Sequence, residues 1–351
     1  MLFHTLRTAK ARAGAVAAIA VTVALVATGC ASSGGDTSAS SSAGGNSGNL
    51  AITFLPKNLG NPYFDTSDKG GQKAVESFGG TFQEVGPATA SPDAQVSYIN
   101  TATTQGVGAL VVSANDPTAI CDALNEARSA GVKVVTFDSD TDAACRDIFI
   151  NQASAEGIAK VQVDLIAKQI GGSGEVAILS ASANATNQNA WIEQMKTYAA
   201  SQYPGLTIVD TVYGNDDDQT SFDKTAALLQ SHPNLKGIIS PTTVGIAAAA
   251  RYLQTSEYKG KVALTGLGTP NQMRDYVNDG TVTAFALWNP ADLGYLAAFA
   301  AKALIEGTIT GAEGDKFDAG DLGSYTVGAD NTVLLGDPYV FDKSNIANFD
   351  F

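Results

Sequence analysis

The chain has 351 residues, with 21 Lys and Arg against 35 Asp and Glu and a net charge of −14 at neutral pH. That acidity excludes nucleic acid and anionic head groups as main partners, because both demand clustered cationic side chains. The two histidines, His4 and His232, are too few for a His-rich zinc site, and a Ser-His-Asp triad would have to use His232, beside Pro233 in a loop.

Arg7, Lys10 and Arg12 open the chain, and a largely apolar run from Ala13 to Ala27 follows. Such a run suits the core of an export signal and is short for a membrane span. It ends in Ala27-Thr28-Gly29-Cys30, which resembles the bacterial lipobox, where small residues precede a cysteine that is lipidated after cleavage. Residues 1–29 are therefore expected to be a signal peptide. Cys30 is expected to carry the lipid of a protein exported to the outer face of the cytoplasmic membrane, or periplasmic. The alternative is an ordinary signal with an incidental cysteine. Without residues 1–29, which hold three basic residues and no acid, the net charge falls from −14 to −17.

Twelve of the 19 residues over 31–49 are Ser or Gly, and none is an apolar residue larger than Ala. Nothing there offsets the entropy of ordering. With Cys30 this makes a flexible tether over 30–49, with a reach of roughly 20–25 Å. Cys121 and Cys145 remain, an even number in an exported chain, which suggests one disulfide. Two free buried thiols are the alternative.

From residue 50 short apolar runs alternate with longer amphipathic ones. LAITFL (50–55), GALVVS (108–113), VKVVTF (132–137), EVAILS (175–180), LTIVDTV (206–212), LKGIIS (235–240), KVALTG (261–266) and TVTAFALW (281–288) read as strands. Several are apolar at successive positions, as strands covered on both faces of a parallel sheet are. Helical patterns occupy 92–105, 117–130, 156–170, 189–201, 220–231, 244–255, 270–278 and 291–305. The second opens with Asp116-Pro117, a cap followed by proline, and closes at Gly131. This alternation predicts α/β structure, doubly wound around parallel sheets.

In such sheets ligands bind beyond the carboxyl ends of the strands. Those places hold Lys57-Asn58, Asn115-Asp116, Asp138 to Asp140, Asn184 to Gln188, Pro241 to Thr243, Gly266 to Gly268 and Trp288-Asn289. Amides, carboxylates and hydroxyls suit a polyhydroxylated small molecule, whose hydroxyls both donate and accept. Trp288, Tyr63 and Phe64 are candidates for a flat apolar partner to its ring. Each has a plainer reading. Asp138 and Asp140 are also natural caps or loop residues, Lys57 a surface lysine, and Trp288, Tyr63 and Phe64 core residues.

Enzymatic patterns are weak. Gly266-Leu267-Gly268 follows a strand but lacks the third glycine of a dinucleotide fingerprint, and no phosphate-binding loop motif occurs. Asp216-Asp217-Asp218 reads as a solvated helix start rather than a cation loop. Asp138 with a second carboxylate would make a glycosidase pair, which leaves a surface sugar hydrolase as a rival from another class.

The segments LPKNLGNPYFD (55–65), VSANDPTA (112–119), TFDSDT (136–141), INQAS (150–154), NQNAWIEQMK (187–196), ISPTTVGIAAAA (239–250), TGLGTP (265–270) and ALWNPADLGY (286–295) resemble the periplasmic-binding-protein type 1 family. The resemblance covers residues 50–351 and is to its ribose-binding-like branch, near the rhamnose and autoinducer-2 types. It implies two parallel-sheet lobes joined by a three-stranded hinge, 50–151 with 289–320 and 152–288 with 321–351. It implies capture of a small sugar between the lobes and delivery to the permease and ATPase subunits of an ABC importer. A monomer is expected, with no catalytic residue, metal or cofactor.

The family's ligand positions fall on Lys57, Asp138, Asn187, Gln188, Pro241 and Thr243. The autoinducer-2 type usually has Asp and Ala where this chain has Asn187 and Thr243, so rhamnose or a related deoxyhexose is the expected ligand, with autoinducer-2 the alternative. Asn58, Tyr63, Phe64, Asn115, Asp116, Asp140, Trp288 and Asn289 complete the candidate lining.

Overall fold

The structure is a computed structural model that describes residues 48–351; the expected signal peptide, Cys30 and the tether up to residue 47 lie outside the described residues. Most Val-, Ile- and Leu-rich runs become strands that are almost wholly sealed from water, while LTIVDTV forms a half-buried edge strand. The first lobe is built from β1 (Ala51–Leu55), α1 (Pro62–Ser77), β2 (Thr81–Glu84), α2 (Pro92–Gln105), β3 (Ala109–Val112), α3 (Cys121–Ser129), β4 (Lys133–Phe137) and β5 (Ile148–Asn151). The chain then crosses to α4 (Ala155–Ile170), β6 (Gly174–Ser180), α5 (Thr186–Gln202), β7 (Leu206–Tyr213), α6 (Asp218–Ser231), β8 (Leu235–Ser240), α7 (Thr243–Thr255), β9 (Ala263–Gly266), α8 (Pro270–Asn278) and β10 (Ala284–Leu287). It returns through α9 (Pro290–Ile305), the hairpin of β11 (Lys316–Asp318) and β12 (Ser324–Thr326), and β13 (Thr332–Leu334), and ends in β14 (Tyr339–Asp342).

The first sheet is parallel, in the order β13-β5-β4-β3-β1-β2, and the second runs β7-β6-β8-β9. A parallel bridge from Leu267 to Ala286 carries the second sheet on to β10, which pairs antiparallel with β14. Both lobes thus wind in the same order, with the first strand between the second and third. Each has its reversal point, and hence its ligand crevice, at the carboxyl ends of its first and third strands.

The chain crosses between lobes three times, after β5, after β10 and after β13. Two of the crossings run side by side, where Leu335 N donates to Asn151 O at 2.8 Å.

The division at residue 320 needs correction. β13 pairs with β5 in the first sheet, so the first lobe continues to Leu334 and only the segment with β14 returns to the second. The short apolar triplet in β13 is too brief to show its partner in advance. The helix expected from Pro117 begins at Cys121, because Asp116 caps a turn by accepting from Thr118 N and Ala119 N, both at 2.9 Å. Cys121 and Cys145 are joined by a disulfide that ties α3 to the loop after β4.

α1 and α9 pack closely enough that a Cβ on Gly70 would sit 1.9 Å from Ala291 O, and one on Gly294 1.9 Å from Ser67 O. Only glycine permits that approach. It brings the start of α1, with Tyr63 and Phe64, beside Trp288 at the hinge.

Candidate functional site

Strand ends from both lobes converge on one cavity. From the first lobe come Lys57, Asn61, Tyr63, Phe64 and Asp138. From the second come Asn187, Gln188, Trp191, Asp216, Pro241, Thr242, Thr243 and Leu267, with Leu287 and Trp288 at the hinge.

Asp138 is the centre of the first-lobe wall. It follows β4 with φ of 60°, and Ser139 N donates back to Phe137 O across it at 2.6 Å, a γ-turn of the rarer hand. Holding a non-glycine residue there has a cost, and the turn throws the carboxylate into the cleft. Ser113 Oγ donates to Oδ2 at 2.8 Å and Tyr63 OH to Oδ1 at 3.1 Å, while Trp288 Nε1 donates to Tyr63 OH at 3.0 Å. Lys57 Nζ lies 4.0 Å from Oδ2, with both side chains under one-tenth exposed. Burial pushes the Asp138 carboxyl above its ordinary range, while Lys57, Ser113 and Tyr63 pull it back. The same burial, with the Asp138 charge beside it, raises the Tyr63 phenol well above its usual value, so the phenol remains a donor.

Lys57 is fixed from behind. Asn115 Nδ2 donates to Lys57 O at 2.9 Å, and the fully buried Gln95 of α2 donates to Pro56 O and Ser113 O and accepts from Asn115 N. One glutamine thereby holds the ends of β1 and β3 together.

Across the cleft, Gln188 Oε1 accepts from Ser180 Oγ at 2.7 Å and Ala181 N at 2.8 Å, which leaves its amino group for the cavity. Asn187 bridges the lobes. Its Oδ1 accepts from Lys57 Nζ at 3.3 Å, and its Nδ2 donates to Asp138 O at 3.3 Å. The far wall is aromatic: Trp288 meets Tyr63 and Trp191 edge-on, with ring centroids 6.1 and 6.0 Å away. Such a cavity offers acceptors, amide donors and one ammonium to hydroxyls, and apolar faces to carbon.

Of the expected lining, Lys57, Tyr63, Phe64, Asp138, Asn187, Gln188, Pro241, Thr243 and Trp288 come together, and five residues do not. Asn58 is half-buried in its own loop and donates to Leu59 O. Asn115 supports Lys57 instead of lining the cavity, and Asp116 is occupied by its turn. Asp140 is bound by Arg146, whose Nε and Nη2 donate to its two oxygens at 2.7 and 2.8 Å. Asn289 caps α9 by accepting from Ala291 N at 3.0 Å.

Sequence reasoning missed Asn61, Trp191, Asp216 and Leu287 as lining, and had Thr242 and Leu267 only as strand-end residues. Asn61 caps α1 through Tyr63 N. Trp191 sits one turn into α5 from Asn187, a spacing that puts both on one helix face. Asp216 is the substantive correction to the solvated-cluster reading. Asp217 does cap α6, through Thr220 N, and Asp218 pairs with Arg251, but Asp216 turns into the cleft and accepts from Thr242 Oγ1.

Residues 52–309 match the periplasmic binding protein domain family. Among solved structures, a sugar ABC transporter from Actinomyces odontolyticus is 56% identical, over 86% of this chain and 97% of its own, with a TM-score of 0.70. An ABC transporter solute-binding protein from Clostridium phytofermentas with bound L-rhamnose is 42% identical, over 85% of this chain and 97% of its own, with a TM-score of 0.82. LsrB from Clostridium saccharobutylicum in complex with AI-2 is 30% identical, over 86% and 100%, with a TM-score of 0.81. The match over most of the folded chain, with an interlobe cavity at the strand ends, identifies this protein as a member of the periplasmic binding protein family.

Proposed function

We propose that the chain is the substrate-binding component of a sugar ABC importer, and that it captures a neutral deoxyhexose such as L-rhamnose between its lobes. The observation that carries this is the cross-cleft set: Lys57 and Asp138 on one lobe face Asn187 and Gln188 on the other across a cavity walled by Trp191, Leu287 and Trp288. Hydroxyls find charged and amide partners, and a deoxy methyl finds an apolar wall. The ligand stabilises closure by binding both lobes at once. The rhamnose-bound relative, at 42% identity, supports the choice of ligand. Delivery of the loaded protein to permease and ATPase subunits completes the proposal, with export and anchoring through Cys30.

Autoinducer-2 is the second reading, favoured by the 30% identical AI-2 complex and opposed by Asn187 and Thr243. A thermal-shift panel of deoxyhexoses, pentoses and borate-free autoinducer-2 separates the two. Stabilisation by L-rhamnose supports capture of a deoxyhexose, and stabilisation by autoinducer-2 alone replaces it. Release of free sugar from a glycoside by the purified protein would defeat capture in favour of hydrolysis.

A further inference from the structure

We propose that Asp216 is a specificity-determining residue of this cleft, a second carboxylate brought by the opposite lobe that admits uncharged hydroxylated ligands and rejects those bearing a carboxylate or phosphate. This rests on the sugar-capture reading and narrows it by ligand charge. β7 ends at Tyr213, and Gly214 folds the chain onto α6 so tightly that a Cβ there would lie 2.1 Å from Ser221 Oγ. Asn215 and Asp216 follow with φ of 56° and 49°. This turn separates Asp216 from the two acids that serve α6 and aims it at the cavity beside Thr242.

Two observations assign the role. The first is hydrogen-bonding capacity. The Asp138 oxygens already face Tyr63, Ser113, Asn187 and Lys57. Thr242 Oγ1 takes Asp216 Oδ1, and among the described residues no donor takes Oδ2. A carboxylate only accepts, so the open oxygen suits a ligand hydroxyl. The second is the charge in the cavity. Its lining holds two carboxylates, Asp138 and Asp216, and one ammonium, Lys57. Lys57 acts on both acids, and Asp216 in turn disfavours charge on Asp138. An anionic ligand would bring a third negative charge to one shared cation, away from water, where like charges repel most strongly. A neutral polyol adds no charge and donates to Asp216.

The test is isothermal titration of wild type, Asp216→Asn and Thr242→Val against ring-matched pairs, L-rhamnose with L-mannuronate and D-galactose with D-galacturonate, and against borate-free autoinducer-2. Wild type should bind a neutral member and bind its acid at least ~100-fold more weakly, as expected for an unpaired charge in a desolvated site. Asp216→Asn should weaken the neutral ligand by ~10–100-fold, the loss of one charge-assisted bond, and should shrink the neutral-to-acid ratio. Thr242→Val keeps the charge but removes its orienting donor, and should lower neutral affinity several-fold with the ratio retained. That variant carries the test if the Asn variant does not fold. A merely structural Asp216 would leave the ratio unmoved. Equal binding of acid and sugar by wild type, or an Asn variant with unchanged affinity and ratio, overturns the inference and leaves sugar capture standing. A wild type that binds no neutral ligand of the panel defeats the proposed function and this inference with it.

Discussion

Replacing Asp138 by Asn removes one charge and little else. The residue sits at φ of 60° in its γ-turn, and Asn fills the same space with the same side-chain shape. Asn retains an acceptor for Ser113 or Tyr63, whose hydroxyls lie 2.8 and 3.1 Å from the carboxylate. Lys57, only 4% exposed, keeps Asn187 Oδ1 at 3.3 Å but loses the carboxylate 4.0 Å away. What disappears from the liganded cleft is a charge-assisted hydrogen bond of about 1.5–3 kcal/mol, a roughly 10–150-fold weaker affinity. Asp138→Ala should show the same loss of affinity, and in addition lose about 1–3 kcal/mol of stability, because the Ser113 and Tyr63 hydroxyls are left without their acceptor. Titration calorimetry with L-rhamnose reads the first effect, and denaturant unfolding of the two variants side by side reads the second. An Asn variant that binds within twofold of wild type would refute the reasoning, because the carboxylate would then not be gripping ligand.

Three further outcomes test other parts of the structure. Asp140→Ala strips Arg146, 4% exposed, of its bidentate partner; it should destabilise by about 3–5 kcal/mol in denaturant melts while leaving ligand affinity unchanged. Gly294→Ala places a methyl 1.9 Å from Ser67 O, so the α1–α9 contact must open. A loss of about 3 kcal/mol or more is expected in the same melts, at the upper end of overpacking costs, and an unaffected melting curve would contradict the close approach. Asp68 of α1 is buried with Oδ2 unpartnered, and burial, then the neighbouring Glu84 charge, raise its carboxyl well above the usual range. A raised folded-state value means that its contribution to stability is complete below the ordinary carboxylate range and is lost as pH climbs through the raised value. Thermal unfolding of Asp68→Asn should therefore depend less on pH than wild type between mildly acidic and mildly alkaline solution, and an identical slope would count against it.

The strands β1, β3, β4, β6, β8 and β9 were legible because each is a largely apolar run buried within a parallel sheet, whereas β5 and β13 are too short to stand out. LKGIIS became β8 to the residue, and the others shifted by one to three positions at their ends. α1 was hidden by Gly70-Gly71 at its middle, which break the helical pattern but allow close packing, Gly70 against Ala291 of α9 and Gly71 against the Phe54 ring of β1. β2 escaped because TFQE is an exposed edge strand with little apolar signal. At the site, residues at the ends of buried strands were readable: Asp138, Pro241 and Trp288 directly follow β4, β8 and β10, and Lys57 stands two residues past β1. Neighbours one or two positions further on were not, because Asn115, Asp116, Asp140 and Asn289 spend their polar atoms on backbone and on Arg146. That division of labour is set by partners remote in sequence. Asp216 failed for the converse reason, since three consecutive acids give no local sign that one of them turns inward.

The most direct measurement is a crystal structure of the protein grown with L-rhamnose. The account predicts one sugar enclosed between the lobes, its hydroxyls within hydrogen-bond reach of Lys57, Asp138, Asn187 and Gln188 and its methyl against Trp288. A sugar bound anywhere else, or an interlobe cavity that remains without it at saturating concentration, would contradict the account.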